Sequence, residues 1–268
     1  MKKKVLLMTT IGLVLLGAVI GVALNAIFTV TDVVVNYSVL SDTGEGESAA
    51  LQTRLDETFV GKSTTFLKLE EVEATVSKFP GFELVEARKE FPRKIVLTVK
   101  ERSEAFSFVK DGIYSVLDDN GLYLYDNEDN YNRRSGENIL LRGFDITVTE
   151  SGKSPEGNAY LQAAIDVGSV FLEQLEDARA NVVSITLMNT GLDTVGKYFF
   201  RIQMCEGVYI DIYGPQNSPK EKAADALKTY LALSDEQRLY GFFDIIDRAD
   251  GGYTVSAHRA EVPKGNEN

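Results

Sequence analysis

Residues 61–105, GKSTTFLKLEEVEATVSKFPGFELVEARKEFPRKIVLTVKERSEA, change their periodicity at a proline, and this constrains the fold more than any other feature of the chain. Leu69, Val72, Val76 and Phe79 recur at helical spacing and predict one apolar stripe. Phe79-Pro80-Gly81 ends that helix, because a proline ring disfavours helical geometry at the residue before it. Two extended runs follow. In the second, Ile95, Leu97 and Val99 alternate with Val96, Thr98 and Lys100, the two-residue period of a half-buried strand. Phe91-Pro92-Arg93-Lys94 separates the runs as a turn. The reading is helix, strand, strand, with no obviously reactive group.

The chain begins Met-Lys-Lys-Lys and then runs from Val5 to Phe28 without a charged residue. About 20 apolar residues at a rise of 1.5 Å span a hydrocarbon core of about 30 Å. This predicts a single transmembrane helix over residues 5–28. Residues 1–4 would form a cytoplasmic tail by the positive-inside rule, and the rest would lie outside the cytoplasm. A cleaved signal peptide would instead have about 7–15 apolar residues ending in small residues spaced A-x-A. Ala23-Leu24-Asn25-Ala26 lacks that spacing. Gly17 and Gly21 form a G-x-x-x-G step that would let two helices approach, although glycine is common in membrane helices generally.

The 268 residues carry 28 basic and 40 acidic side chains, a net charge of −12. That balance argues against nucleic acid, whose phosphates demand a basic surface, and against a peripheral grip on anionic lipid. Solubility accounts for it. Cys205 is the single cysteine, so no intramolecular disulfide can form, and a cysteine in a strand-like run is expected to be buried and inert. Stability must therefore come from hydrophobic cores, for which the chain is long enough in two domains.

Along the chain, Phe28 to Val35 reads as a first strand, Thr43 to Glu47 as a polar loop and Ala50 to Phe59 as a helix. Ala105 to Tyr125 reads as short strands with Asn120-Gly121 at a hairpin, and Asp126 to Asn138 as a polar loop. Ser154-Pro155 is expected to open a long helix with Leu161, Ala164, Ile165, Gly168, Phe171, Leu172 and Leu175 on its apolar face. Strands are expected around 182–188, 198–205 and 208–213. Ser218-Pro219-Lys220-Glu221 reads as a capping box opening a second helix that buries Ala223, Ala224, Leu227, Tyr230 and Leu231. Phe242 to Asp247 and Gly252 to Ala257 close the chain as a strand pair, followed by a polar tail over 259–268. The class is α+β: a small α/β module over 29–102, then a mixed β-sheet domain over 103–258 with two flanking helices.

Reactive motifs fail on inspection. Gly61-Lys62-Ser63 resembles the end of a phosphate loop, but the position that needs the first glycine is Asp56. Asp126, Glu128, Asn130 and Glu137 follow a calcium-loop register, but Tyr131 stands where the turn needs glycine, and Arg133 and Arg134 add positive charge. His258 is the only histidine, which leaves no second imidazole for zinc. Ser256 lies two residues from it on one strand face, but proximity is not a triad. Nothing singles out a carboxylate pair for hydrolysis. No cofactor or metal is expected.

Pro80, Ala87, Phe91-Pro92, Val99, Glu101-Arg102 and Ala105, with Gly61-Lys62 before them, resemble the pattern of the POTRA domain of the bacterial cell-division proteins FtsQ and DivIB. Tyr114, Asp118 and Gly121 in IYSVLDDNGLY look like the opening of that family's second, β domain. The resemblance implies a non-enzymatic scaffold of the division septum, anchored by one membrane span. It implies binding to two single-pass proteins, one FtsL-like and one FtsB/DivIC-like, the latter through the last strand of the second domain and an adjacent helix.

The residues allow that mechanism. Gly252, Tyr253, Thr254, Val255, Ser256 and Ala257 lack proline and charge, the devices that usually blunt a strand edge. An unpaired edge there would accept an incoming extended segment. Tyr253 is an expected anchor, and Lys220, Lys222 and Lys228 on the neighbouring helix are expected to face an acidic partner. Otherwise 252–257 is an interior strand and the lysines are a solvated face. Two further functions stay open: a POTRA-bearing secretion or sensor component, and a membrane-tethered wall hydrolase.

Overall fold

The computed structural model describes residues 11–17, 19–21, 26–38, 41–130, 137–148, 150–175, 181–191, 197–259 and 266–267. The chain divides into two compact units, residues 1–102 and 103–268.

The first unit orders its elements as β1 (Asp32–Ser38), α1 (Asp42–Phe59), α2 (Leu69–Val76), β2 (Phe82–Glu90) and β3 (Lys94–Glu101). The sheet order is β1-β3-β2, with β1 parallel and β2 antiparallel to β3. The alternation of β3 has a direct cause: Ile95, Leu97 and Val99 are fully buried against Leu51, Leu55 and Phe59 of α1 and Val72 and Val76 of α2. The first strand starts at Asp32, later than its β-branched approach suggests. Before it, the backbone is tied elsewhere: Val30 N–H donates to Lys62 O at 2.8 Å, and Thr64 N–H donates to Phe28 O at 2.6 Å.

The segment 43–47, expected as a loop, is the start of α1. Ser41 caps this helix by accepting from Gly44 N–H at 3.0 Å. Glu101, buried at the end of β3, accepts from both the N–H and the Oγ of Ser41 at 2.6 Å. A Cβ on Gly44 would lie 2.6 Å from Glu101 Oε2, so glycine is what lets the carboxylate reach the helix start. A polar, glycine-containing segment becomes helical here through a partner far away in sequence.

The single transmembrane helix expected over residues 5–28 is not supported. Among the described residues, no helix is long and apolar enough to cross a membrane. Residues 11–17 and 19–21 are helical. Residues 1–4, 5–10, 18 and 22–25 lie outside the described residues.

The second unit contains β4 (Glu104–Lys110), β5 (Ile113–Asp118), β6 (Tyr123–Asn127), β7 (Ile139–Arg142), α3 (Leu161–Gln174), β8 (Val182–Asn189), β9 (Tyr198–Met204), β10 (Tyr209–Tyr213), α4 (Pro219–Leu231), α5 (Asp235–Tyr240), β11 (Gly241–Asp247), β12 (Tyr253–Arg259) and β13 (Asn266–Glu267). They build a ten-stranded sheet in the order β12-β11-β10-β9-β8-β7-β4-β5-β6, with β13 paired to β8. Phe200, Ile202, Ile210, Ile212, Phe243 and Ile245 turn one face of it toward α3 and α4. There they share a core with Ile165, Phe171, Ala223, Leu227 and Tyr230. The α+β class stands, with sheet predominant.

Three local expectations are corrected. Ser154-Pro155 does not open α3, which starts at Leu161. Glu156 and Thr147 exchange backbone hydrogen bonds of 2.8 and 2.9 Å, which hold that approach extended. α4 does begin at Pro219, but Ser218 is left-handed, with φ at 48°, and its side chain makes no cap bond. The capping box belongs to α5, where Ser234 Oγ accepts from Gln237 N–H and Gln237 Oε1 accepts from Ser234 N–H. Cys205 lies in the turn after β9 and is exposed, not buried.

Candidate functional site

The two ends of the large sheet finish differently. At the β6 end, a loop bonds to the start of the edge strand: Tyr123 N–H donates to Lys153 O at 2.9 Å, Gly152 N–H donates to Tyr123 O at 2.7 Å, and Ser151 Oγ donates to Leu124 O. At the other end β12 pairs with β11, and no described strand pairs with its outer side. Gly252 closes the hairpin, accepting from Arg248 N–H at 2.7 Å and donating to Asp250 Oδ1 at 3.1 Å. Hydrogen-bonded and non-bonded pairs alternate along an antiparallel ladder. Counting from the Arg248–Gly252 bond, the backbone groups of Thr254, Ser256 and His258 turn toward β11. Those of Tyr253, Val255 and Ala257 turn outward.

Side chains alternate with the same period. Val255 and Ala257 stand opposite Ile245 and Phe243, which belong to the core, so Tyr253, Val255 and Ala257 are on the helix side. Thr254, Ser256 and His258 are on the side away from α3 and α4. Val255 is 38% exposed. Tyr253 is half-buried, and its hydroxyl donates to Asp225 Oδ2 of α4 at 2.7 Å. That bond foremost, then partial burial and the charges of Asp225 and Glu221, pushes the phenol up to about 12. Tyr253 is thus fixed to α4 by its polar tip, and the large apolar side chain exposed on the edge is Val255.

The lysines separate. Residues at i, i+4 and i+7 share one side of a helix. Glu221, Asp225 and Lys228 therefore form a stripe beside Tyr253, while Lys220 is turned toward α3, where its Nζ lies 3.8 Å from Asp166 Oδ1. Lys222 does not face a partner at all. It is fully buried, donates to Tyr213 O at 2.7 Å and Gly214 O at 2.9 Å, and lies 2.5 Å from Asp247 Oδ1 at the end of β11. Lys228 is exposed and is the lysine placed to meet an acidic side chain beside β12.

On the side away from α3 and α4, a polar row crosses β9, β10, β11 and β12. Arg201 of β9 makes two bonds to Asp211 of β10, at 2.9 and 2.7 Å. Burial raises the Asp211 carboxyl, while the Arg201 hydrogen bonds pull it down. Asp211 stands in register with Asp244 of β11, whose Oδ2 lies 3.1 Å from His258 Nε2. The His258 ring stacks on Phe242 with centroids 4.8 Å apart. Ser256 shares this face but makes no hydrogen bond to His258 among the described contacts, so the hydroxyl–imidazole link of a nucleophilic triad is missing there. Among the described residues, no group of three or more His, Cys, Asp or Glu side chains is placed to hold a metal ion. Tyr131, Arg133 and Arg134 of the calcium-loop register lie outside the described residues.

The sequence reading placed 252–257 as the last strand, but that strand, β12, runs over Tyr253–Arg259 and is followed by β13 within the stretch expected as a polar tail. The reading also missed Asp225, Glu221 and the Lys222–Asp247 pair. The i, i+4 spacing of Glu221 and Asp225 was the available signal. No protein-family model matches the chain, and no curated protein matches it either.

Proposed function

We propose that the chain is a non-enzymatic scaffold of the bacterial division septum. It captures an extended segment of an FtsB/DivIC-like protein at β12 and holds an FtsL-like protein with it. One observation carries this reading. A loop bonds to the start of the β6 edge, whereas no described strand pairs with the outer side of β12, which is free of proline and has Val255 exposed. Proteins usually blunt such an edge, because its unpaired N–H and C=O groups template pairing with another chain. An unpaired edge at one end of the sheet and a partly covered one at the other fit a strand-addition site. The bacterial partners come from the resemblance of residues 61–105 and 114–121 to FtsQ and DivIB.

A functional fluorescent fusion tests the reading in dividing cells of the source organism. The parent is expected to form a midcell band. Val255→Pro removes an outward donor while sparing the bonds to β11, and should lower partner capture by at least about tenfold. A uniform signal around the envelope contradicts the division assignment.

A further inference from the structure

We propose that the segment added to β12 carries a basic side chain over the Glu221–Asp225 stripe of α4. The inference rests on the strand-addition reading and names the partner chemistry it requires.

An added strand turns alternate side chains to the helix side of the sheet, where they lie beside Tyr253, Val255 and the lateral stripe of α4. Glu221 is exposed in the first turn of α4. Asp225, one turn later, already accepts from Tyr253. Glu221 precedes Asp225 by one turn on the same side of α4, so both carboxylates lie on the flank that Tyr253 meets through Asp225. The cations in the first turn of α4 and in the β11–β12 turn are committed elsewhere. Lys222 is buried on Asp247, Lys220 is at Asp166, and Arg248 lies 3.0 Å from Asp250 within the β11–β12 turn. Lys228 follows Asp225 by about 4.5 Å along the helix axis, toward the other end of β12.

A strand laid over this edge removes water from the two carboxylates. That costs free energy unless a cation replaces the water, and it costs more if the arriving side chain is itself acidic. The stripe therefore selects for Lys or Arg at the Tyr253 end and against Asp or Glu there. Selection by an unfavourable charge is as effective as selection by a favourable one.

The test uses the full chain and two short blocked peptides of alternating valine and threonine, identical except for a central lysine or a central glutamate. Binding is read from the amide shifts of β12. The lysine peptide is expected to bind about tenfold tighter than the glutamate peptide, with the ratio falling as salt screens the pair. In Glu221→Lys the ratio should fall toward one. Glu221 is exposed, so the substitution leaves the core intact. Equal affinities in the parent overturn the inference. So does a lysine preference unchanged in Glu221→Lys, because it then reflects net charge and not the stripe. If neither peptide shifts the β12 amides, the strand-addition reading itself fails.

Discussion

Replacing Lys222 by methionine is expected to destabilise the second unit by about 3 kcal/mol, the scale of breaking a buried, hydrogen-bonded charge pair. The side chain is fully buried, and its ammonium meets the Tyr213 and Gly214 carbonyls and the Asp247 carboxylate. Methionine fills a similar volume, so the loss is polar and leaves little cavity. Two carbonyls lose a donor. Asp247 keeps the Asn217 Nδ2 bond at 2.9 Å but loses its counter-ion. Asp247 pairs with Tyr253 across the β11–β12 ladder, so the same change should loosen the open edge. Denaturant unfolding of the full chain, followed at β11 and β12 amides, measures the loss. Adding Asp247→Asn to Lys222→Met should recover part of it. A single-variant change below about 0.5 kcal/mol would show that the pair is not needed for stability.

Gly168→Val is expected to cost about 2–3 kcal/mol through overpacking. Gly168 lies inside α3, where glycine is intrinsically poor by about 1 kcal/mol relative to alanine. The fold accepts that because α3 approaches the sheet closely at this point. A Cβ would meet the ring of the fully buried Phe106, 2.7 Å from Cζ and closer still to Cε1, and would lie 3.3 Å from Ile185 Cδ1. Gly168→Ala sharpens the test, because propensity and packing predict opposite signs. Thermal unfolding should show Gly168→Ala destabilised despite its better helix propensity. A gain of about 1 kcal/mol would mean that Phe106 moves aside at no cost.

What could be read from the sequence follows a physical division. Strands with one buried face announced themselves: Ile95, Leu97 and Val99 alternate because a core lies on one side only. The start of α4 at Pro219 was legible because proline acts locally, whereas α2 ends at Val76, before Phe79-Pro80 is reached. Features that depend on distant partners were not. The first turns of α1 hang on Glu101, and the backbone at Glu156 is held extended by Thr147. The box assigned to Ser218 fails because that residue turns left-handed, whereas Ser234 and Gln237 make a real one. At the candidate site, the strand itself was visible as an uncharged run ending at Ala257. The roles of the charges were not, because composition cannot distinguish a lysine bound to Asp247 inside the protein from one exposed beside β12. The charge-free run over 5–28 set an expectation from hydropathy alone, and the described helices do not reach the required length.

Backbone amide exchange along β12 tests the central claim most directly. In the full chain alone, the outward amides of Tyr253, Val255 and Ala257 should exchange fast, while those of Thr254 and Ser256, bonded to β11, should be protected. Adding the exterior segment of an FtsB/DivIC-like partner should protect the outward set by at least about a hundredfold and leave the inward set little changed, as an added strand requires. Outward amides that stay fast while the partner is demonstrably bound would place the interface elsewhere and contradict capture by strand addition at this edge.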